Sequence, residues 1–584
     1  MSIGDLVVPE SAEAVVAAAD ELIAGLMARP WGQVSPSVYE TGRLVTLAPW
    51  LAGHAERVDF LVRGQNADGT WGAPEGYGLV PTLSATEALL SALLRGDVDS
   101  RPEAAAEVAG AADRGLRALA GALGGAPSAS GTPVDVSSLP DMPALDVIVP
   151  ALVAAINEHL DALDRAPGGV PGAVVDSAGL RLDLPPGMGS KRLAAVRALV
   201  ASGADLPEKL VHALEIAGEA ASGAAAVRPA AIGTVGASPA ATAAWLGDRG
   251  LLDTTDRSLR HLEAVARRHG GPVPVGLPIT VFERGWVLSW LARAGIPLDV
   301  PPEMTADLRA AIGPSGTPAG PGLPPDADTT SVALYALALL GVPSEPAGLR
   351  AFELDTHFCT WPGEDGFSVS VNAHVLDAFG QYALACPDRA ARCLPYVRKL
   401  SALVRDHQRP DGSWDDRWHA SPYYATAACA LALGDFGGEE AADAVRRAVR
   451  WVLSTQRADG SWGRWEGTAE ETAYAMQILL LARPQREAAT HGDAPPAAQG
   501  DAPPTAHGES ARTAQAGAVQ AAEVTEAAAR GYAYLLESAG QAEDPPLWHD
   551  KDLYLPAAIV RAAVLAALHL AQTDPVVMEW YGQL

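Results

Sequence analysis

QRPDGSW, residues Gln408 to Trp414, returns almost unchanged as QRADGSW at Gln456 to Trp462 and as QNADGTW at Gln65 to Trp71. In each copy the Asp-Gly pair predicts a tight turn, because glycine readily adopts a positive φ, and the Trp ring can stack on the Gln amide. The last two copies start 48 residues apart, at 408 and 456, which suits one helix pair per repeat. One copy alone would indicate an ordinary turn beside a buried Trp, whereas three copies indicate stacked helical hairpins.

Helical periodicity covers most of the remaining chain. Apolar residues recur at i, i+3 and i+4 in Ala14–Met27, Ser84–Leu94, Lys191–Ala201, Leu206–Ala221, Thr280–Ala294, Thr329–Leu340, Asn372–Ala385, Asp388–Asp406, Glu439–Ser454 and Ala557–Ala571. Strand-like alternation is nearly absent, so the sequence predicts an all-α fold. Residues 484–518 differ, because HGDAPPAAQGDAPPTAHGES lacks aromatic and branched apolar residues, and they are expected to form a disordered insertion.

Composition narrows the classes of function. The 584 residues are too many for one core and predict two to four domains. A total of 42 Lys and Arg against 70 Asp and Glu gives a net charge of −28, which disfavours nucleic acid or an anionic membrane as the main partner. The four cysteines lack CxxC pairing and zinc-ligand spacing. With no signal-peptide pattern and no apolar run of about 18 residues, the expectation is a soluble, cytoplasmic protein with no transmembrane segment.

The most distinctive polar segment is PPDADTT, from Pro324 to Thr330, which opens the apolar helix SVALYALALL. One interpretation is a helix cap, because Asp is a preferred N-cap and favours the positive end of a helix. Together with the Gln-Trp repeats, however, the motif resembles the DxDD of class II terpene cyclases, the family of squalene-hopene cyclase and copalyl diphosphate synthase. In this chain Thr329 replaces the last Asp of that motif.

The resemblance extends along nearly the whole chain. SPSVYET at 35–41 resembles the SxYDTAW segment of diterpene cyclases, SPAATA at 238–243 resembles SPSSTA, and LWHDKDLY at 547–554 is similar to LWIGKTLY. The resemblance implies two α/α-barrel (toroid) domains with Gln-Trp repeats, named β and γ. Residues 1–34 would be the N-terminal helix of the β domain, 35–284 an inserted γ domain, and 285–584 the rest of the β domain.

The same resemblance assigns the proton donor to Asp328, the middle carboxyl of the motif. Protonating an alkene requires an acid that is kept neutral and dry, which burial and the like charge of Asp326 would favour. The resulting carbocation needs aromatic and apolar walls that supply no nucleophile. Six aromatic residues are available for such walls, although each also fits an ordinary core: Trp286, Trp290, Trp361, Trp418, Tyr423 and Tyr424.

The resemblance also suggests residues for the later steps. For the base or base-held water that ends the reaction, at the far end of the cavity, we expect His269 in RRHGGPVP or the pair Asn372 and His374 in NAHVL, with a hydrogen-bonded structural role as the alternative. Lys551 and Arg249 match positions that bind the substrate diphosphate. Glu215 matches an acidic segment tied to Mg²⁺, and a solvated helix Glu is its alternative.

The leading prediction is therefore a class II cyclase that converts geranylgeranyl diphosphate to a bicyclic labdane-type, copalyl-like diphosphate. One alternative keeps the mechanism but uses farnesyl diphosphate and gives drimenyl diphosphate. A second is a non-catalytic or prenyltransferase-like α/α toroid, although the zinc ligands of a prenyltransferase are not evident. Because the chain has no DDxxD motif, the product is expected to retain its diphosphate and to pass to a separate class I synthase.

Overall fold

The computed structural model describes residues 9, 11–97, 102–123, 135–165, 179–251, 253–364, 366–482, 506–538 and 544–584. The described residues are mostly helical, and the helices are α1 Ala12–Ala28, α2 Val38–Leu47, α3 His54–Arg63, α4 Leu79–Arg95, α5 Pro102–Leu123, α6 Leu145–Arg165, α7 Lys191–Ser202, α8 Glu208–Val211, α9 Pro239–Leu246, α10 Arg257–Arg268, α11 Thr280–Arg293, α12 Pro302–Ala311, α13 Ala327–Leu339, α14 Val369–Ala385, α15 Ala390–Asp406, α16 Pro422–Phe436, α17 Ala442–Thr455, α18 Ala469–Leu481, α19 Ala506–Ser538, α20 Ala557–Gln572 and α21 Pro575–Tyr581. A short antiparallel pair, β1 Trp548–His549 and β2 Leu553–Tyr554, precedes α20. None of the described helices has both the length and the apolar character of a membrane span.

Most predicted helices lie where the periodicity places them, and two segments differ. The predicted helix 206–221 is divided into α8 and a 3-10 helix, Leu214–Ala221, in which Gly218 has a φ of 62° that an α-helix does not allow. Of the predicted disordered segment, residues 484–505 lie outside the described residues. Helix α19 begins at Ala506, inside that segment, so the prediction is wrong from there on: alanine is a strong helix former and recurs along this stretch.

The helices pack in two main sets. In the first, α11, α13, α14, α16, α18 and α20 contact each other in that order, and α20 also contacts α11. Helices α15, α17 and α19 pack outside these six, and α1 packs against α11 and α20. The second set is built from α2 to α7, α9 and the 3-10 helix that follows α8. Each set has its own buried apolar clusters.

The three copies of the repeated phrase form the same hydrogen bonds. The Trp indole donates to the carbonyl ten residues earlier, as in Trp414 to Val404 O at 2.9 Å, and the other two copies do the same. The Gln amide donates to the Gly carbonyl of its own turn and to a carbonyl of a following outer helix, as in Gln408 to Ala444 O at 2.8 Å. The phrase therefore ties the end of one helix to the next helix pair.

A second recurring contact fixes the loop before six of the helices, α4, α9, α13, α14, α16 and α18. A polar side chain in the early turns of the helix accepts a hydrogen bond from a backbone N–H of the preceding loop. Six residues make this contact, at 2.9 to 3.0 Å: Thr82, Thr242, Thr330, Asn372, Thr426 and Thr472. The contact satisfies a backbone donor that would otherwise be buried without a partner.

Candidate active site

The segment PPDADTT forms the start of α13, and its first carboxyl caps the helix. Asp326 Oδ1 accepts a hydrogen bond from Thr329 N at 2.6 Å, so the cap interpretation is confirmed for this residue. Asp326 is buried, and burial raises the pKa of its carboxyl to about 7, with the negative charge of Asp328 adding to the rise and the hydrogen bond from Thr329 opposing it. A cap whose carboxyl is neutral over part of the physiological range is unusual, because caps normally favour the ionised form.

Asp328 lies one residue into α13 and contacts the neighbouring helix. Its Oδ1 is 2.6 Å from Nδ1 of His374, which is on α14. Burial lowers the pKa of His374, but the Asp328 carboxylate and its hydrogen bond raise that pKa more, and the result lies above the ordinary value. We had expected His374 to act at the far end of the cavity, and the structure corrects this, because the imidazole contacts the predicted acid itself.

Aromatic rings continue from His374 in one direction. Trp286 is edge-on to His374, with centroids 5.6 Å apart, and its indole donates to Tyr424 OH at 3.1 Å. Trp548 lies 4.9 Å from Tyr424 and 6.1 Å from Trp286. These rings, buried except for the half-buried Phe282, form a continuous group that begins at the acid. We call it the aromatic group, and its members are Phe282, Trp286, Tyr424, His419, Tyr474 and Trp548.

Two further predicted rings lie beside the acid on another side. Trp361 and Trp418 are edge-to-face, with centroids 5.2 Å apart. The Trp418 indole donates to Thr360 Oγ1 at 3.2 Å, and the carbonyl of Thr360 accepts from Ala327 N at 3.0 Å, next to Asp328. The structure therefore brings Trp286, Trp361, Trp418 and Tyr424 close to the acid.

Tyr423 is not part of this arrangement. Its ring packs against Trp451 of α17, with centroids 4.6 Å apart, whereas the ring of the next residue, Tyr424, stacks on His419. Consecutive helical residues point about 100° apart, so two adjacent Tyr side chains cannot face the same group. This placement corrects the prediction that both tyrosines line the site.

Asn372 also has a structural placement. Its amide accepts from Phe358 N at 2.9 Å and donates to Phe358 O and Ser368 O, so it holds the loop before α14 as threonines do before α13, α16 and α18. Because both the oxygen and the nitrogen of its amide bind backbone groups, Asn372 does not hold a water together with His374. This placement corrects the prediction that Asn372 and His374 act as a pair.

His269 and Arg249 lie away from the acid. His269 ends α10, and burial lowers its pKa. Arg249 is exposed, and its guanidinium lies 4.4 Å from the ring centroid of Trp245. Among the described residues, no contact joins either side chain to Asp328 or to Lys551, so their roles stay predictions.

Lys551 lies at the centre of a fully buried polar cluster. Its ammonium is 2.5 Å from Glu40 Oε1, 2.9 Å from Glu215 Oε1 and 2.8 Å from Ser238 Oγ, and it also donates to His212 O. Burial lowers the pKa of Lys551, but Glu215 and Glu40 raise it above its ordinary value. All four hydrogen-bond acceptors are thus within 2.9 Å of one charged nitrogen.

The cluster joins the three segments that resemble diterpene cyclases. Glu40 belongs to SPSVYET and accepts from Ser238 Oγ and Ala240 N of SPAATA. Asp552 of LWHDKDLY accepts from Ser37 Oγ and Tyr39 N, both at 3.1 Å. The three segments, distant in sequence, therefore meet at one place.

The surroundings of Glu215 do not fit a resident Mg²⁺. Its Oε1 is occupied by Lys551 and by Tyr39 OH at 2.7 Å, and its buried Oε2 has no hydrogen-bond partner among the described residues. A cation within 2.9 Å opposes a second one at the same carboxylate. Within the described part of the chain, no group of three or more His, Cys, Asp or Glu side chains is placed to hold a metal ion.

Sequence reasoning missed one buried carboxyl of the aromatic group. Glu470, the second residue of α18, accepts hydrogen bonds from Trp548, Tyr474 and His419. Two signals could have found it: Glu470 follows the third copy of the repeated phrase at the start of an apolar helix, and Trp548 stands in the quoted segment LWHDKDLY.

Comparisons with known proteins agree with this architecture. A model of the squalene-hopene cyclase C-terminal domain matches residues 364–482. The chain is 41% identical over 564 residues to the ent-copalyl diphosphate synthase of Streptomyces sp. (strain KO-3988), covering 96% of each protein. It is 40% identical to the labda-7,13-dienyl diphosphate synthase of Streptomyces clavuligerus, over 97% of this chain and 95% of that one. The solved structure of an ent-copalyl diphosphate synthase from Streptomyces platensis matches with a TM-score of 0.81 and 42% identity, over 95% of this chain and 99% of that one.

The fold and the family model place the chain among the class II terpene cyclases, in the squalene-hopene cyclase superfamily. Sequence identities of 40% to 42% along nearly the whole length narrow the family assignment further. The chain belongs to the copalyl diphosphate synthase-like class II diterpene cyclases of bacteria. The predicted family and the prediction of an enzyme are confirmed, and a non-catalytic or prenyltransferase-like toroid is set aside.

Proposed function

We propose that the protein protonates the terminal alkene of geranylgeranyl diphosphate and cyclises it to a bicyclic labdane-type diphosphate, keeping the diphosphate intact. The observation that carries this proposal is the acid pair at the start of α13: Asp326 is buried, and the half-buried Asp328 is hydrogen-bonded to His374, from which the aromatic group continues. Relatives named for copalyl and labdadienyl diphosphates support the substrate class.

The initiating step is assigned to Asp328. With Nδ1 of His374 donating to Oδ1, a proton on the second oxygen, Oδ2, can be given to the alkene. The carboxylate that forms is stabilised by an imidazole whose pKa lies above its ordinary value, so negative charge develops next to a positive group. Asp326 stays neutral more readily than an exposed Asp and does not add a second full charge beside the acid.

The cyclising cation then needs walls that attract positive charge without reacting. Faces of Trp and Tyr provide such attraction, at about 0.5–2 kcal/mol per ring. The buried rings nearest the acid, Trp286, Tyr424 and Trp548, are suited to this task. His269 stays the predicted base for the step that ends the reaction.

We infer two α/α-toroid domains from the packing. The closed order of α11, α13, α14, α16, α18 and α20, with outer helices around it, suits the β domain of residues 1–34 and 285–584, with α11 beginning five residues before that boundary, at Thr280. The second set of helices suits an inserted γ domain of residues 35–284. The recurring bonds of the Gln-Trp phrase support a repeat architecture.

For the diphosphate we keep Lys551 as the proposed ligand, with Arg249 as the second candidate. Because Lys551 is engaged by two carboxylates, binding would require phosphate oxygens to replace at least one of them. Mg²⁺ would supply charge neutralisation when it arrives bound to the diphosphate, since the residues around Glu215 do not fit a resident ion. A separate class I synthase would use the product.

The test is product analysis. Purified protein is incubated with geranylgeranyl or farnesyl diphosphate and Mg²⁺, the products are dephosphorylated, and the alcohols are identified by mass spectrometry. We expect a bicyclic C20 alcohol from the first substrate. A drimane-type alcohol with efficient turnover of farnesyl diphosphate alone would transfer the assignment to the shorter substrate, and unchanged substrates would contradict the proposal.

A further inference from the structure

Glu470 is a buried carboxyl that the initiating step does not use. It has no exposed surface, and its Oε1 accepts from Trp548 Nε1 at 2.8 Å and from Tyr474 OH at 2.9 Å. His419 Nε2 lies 3.1 Å from the same oxygen. Because Ser421 N donates to Nδ1 of His419, the neutral imidazole carries its proton on Nε2 and donates it to Glu470. Three rings thus direct their only polar hydrogens at one carboxylate oxygen.

The charge of this carboxylate has no protein cation to balance it. Within the described residues, no Lys or Arg pairs with Glu470, and its buried Oε2 has no hydrogen-bond partner. Burial lowers the pKa of His419 to about 3, so this ring is neutral. Burying an unpaired charge is expensive, and a Gln could accept the same hydrogen bonds without that expense. A buried carboxyl kept at such a position points to a functional use of the charge.

The position of Glu470 mirrors that of the acid. Asp328 is the second residue of α13, and Glu470 is the second residue of α18. In the closed order of six inner helices, α13 and α18 are three places apart, on opposite sides of that order. The aromatic group fills the space between them, from His374 through Trp286 and Trp548 to Glu470.

We propose that Glu470 is a positioning residue for the carbocation stage of the reaction. It fixes the orientation of Trp548, Tyr474 and His419, and its negative charge makes their π faces more electron-rich, so that positive charge released by proton transfer from Asp328 is stabilised. A ring that donates its N–H or O–H to an anion gains electron density, and cation–π attraction grows with that density. This inference rests on the proposed cyclisation and deepens it.

The pH dependence of turnover should show whether the Glu470 carboxyl acts in its ionised form. Burial raises the pKa of Glu470 to about 7, and hydrogen bonds from Trp548 and Tyr474 oppose the rise. The other titratable groups facing this carboxyl are His419, Tyr474, Glu471, Asp544 and Tyr554. If the ionised form is the active one, kcat rises with pH through about 7, and this rise is absent once the carboxyl is replaced by an amide.

The experiment compares Glu470→Gln with Glu471→Gln. Glu471 is the next residue, is equally buried and also has a pKa raised to about 7, but it accepts from Ser421, Thr468 and Arg464 N and from no ring. We expect Glu470→Gln to lower kcat about tenfold to a hundredfold, to change KM less than about twofold, and to release more incompletely cyclised alcohols. Glu471→Gln should keep kcat within about twofold and the wild-type product.

Several outcomes would overturn the inference. One is a Glu470→Gln variant with the kcat and the products of the wild type. Another is an equal loss of kcat in Glu470→Gln and Glu471→Gln that parallels a fall in their melting temperatures. If Glu470→Gln gives no folded protein, Trp548→Phe, which keeps a ring but removes the N–H donor, decides the question: the same product shift is expected, and unchanged products contradict the role. Failure of the proposed function looks different, because it would leave Asp328→Asn active.

Discussion

Asp328 and Asp326 differ in what occupies their carboxyl oxygens. Asp326 Oδ1 holds the helix end through Thr329 N, and its side chain is buried. The Asp328 side chain is 14% exposed and contacts His374 through Oδ1, and among the described residues no hydrogen bond reaches its Oδ2. Of the two carboxyl groups, Asp328 is therefore the more accessible to a substrate.

Replacing Asp328 by Asn should abolish cyclisation while leaving the fold intact. The amide has nearly the same shape but cannot release a proton, so we expect a loss of at least about a thousandfold in kcat. The measurement is product formation by mass spectrometry beside a thermal melt. Asp443→Asn, at an exposed position of α17, is the control and should retain full activity. Substantial turnover by Asp328→Asn would reject the acid assignment.

Asp326→Asn should separate stability from activity. The pKa of Asp326 is about 7 in the folded protein against an ordinary 3.8, so between these values the folded chain holds a proton that the unfolded chain has lost. The free energy of unfolding contributed by this group therefore falls as pH rises from about 4 to about 7, and stays low above. Asn keeps the helix cap and does not ionise.

At pH 8 we therefore expect the free energy of unfolding of Asp326→Asn to equal that of the wild type or to exceed it by up to about 4 kcal/mol. At pH 4 this advantage should be lost. Its turnover should fall severely, because Asp326 tunes Asp328. Urea unfolding at the two pH values measures the first effect, and product analysis the second. A variant with full activity would reduce Asp326 to a helix cap.

Residue types near the acid could be predicted from the sequence, but their directions could not. The motif, Trp286 and Tyr424 were found, because a charged helix start and large rings are visible in any sequence. Tyr423 was misplaced because the choice between two adjacent helix faces depends on which neighbour, Trp451 or His419, packs there. Asn372 was misread because Phe358, whose backbone N–H and carbonyl it binds, lies 14 residues earlier in a loop.

At the level of elements, the Asp-Gly turn of the repeated phrase is constrained twice. Gly412 has a φ of +102°, which disfavours any residue with a side chain. A Cβ added there would also lie 2.5 Å from the carbonyl oxygen of Arg447, and the glycines of the other two copies meet an Arg carbonyl in the same way. The turn therefore packs directly on the backbone of the next outer helix.

Gly412→Ala should lower the free energy of unfolding by about 1–3 kcal/mol, because the variant needs both a strained φ and a shift of α17. The control is Gly434→Ala in α16, where an added Cβ meets nothing within 4 Å and a helical Ala is favoured over Gly. That variant should be neutral or up to about 1 kcal/mol more stable. Denaturant unfolding compares the two, and equal stabilities would contradict the close approach.

The whole molecule depends on contacts that local patterns do not reveal. Helices and turns followed from periodicity and Gly-rich phrases, but the meeting of residues 35–41, 238–243 and 547–554 at Lys551 did not, since hundreds of residues separate them. Only resemblance had singled these segments out. The structure adds a physical reason for their shared chemistry: each contributes a charged or hydroxyl group to one buried cluster.

Lys551→Met tests what this cluster does. Removing the ammonium leaves Glu40 and Glu215 buried without a cation, so we expect the free energy of unfolding to fall by about 3–5 kcal/mol. The control is Lys399→Met, at a partly exposed pair with Glu353, where the loss should stay below about 1 kcal/mol.

A second measurement asks whether Lys551 also binds the diphosphate. Turnover of the prenyl diphosphate is compared with turnover of the corresponding alcohol, in the wild type and in Lys551→Met at a temperature where both are folded. If phosphate oxygens exchange with Glu40 or Glu215 at the ammonium, the wild type prefers the diphosphate and the variant loses most of that preference, because the lost contacts were made only to phosphate. If the variant is destabilised but keeps the preference, the role of Lys551 is to join the two sets of helices, and diphosphate binding is then assigned to Arg249 and Mg²⁺.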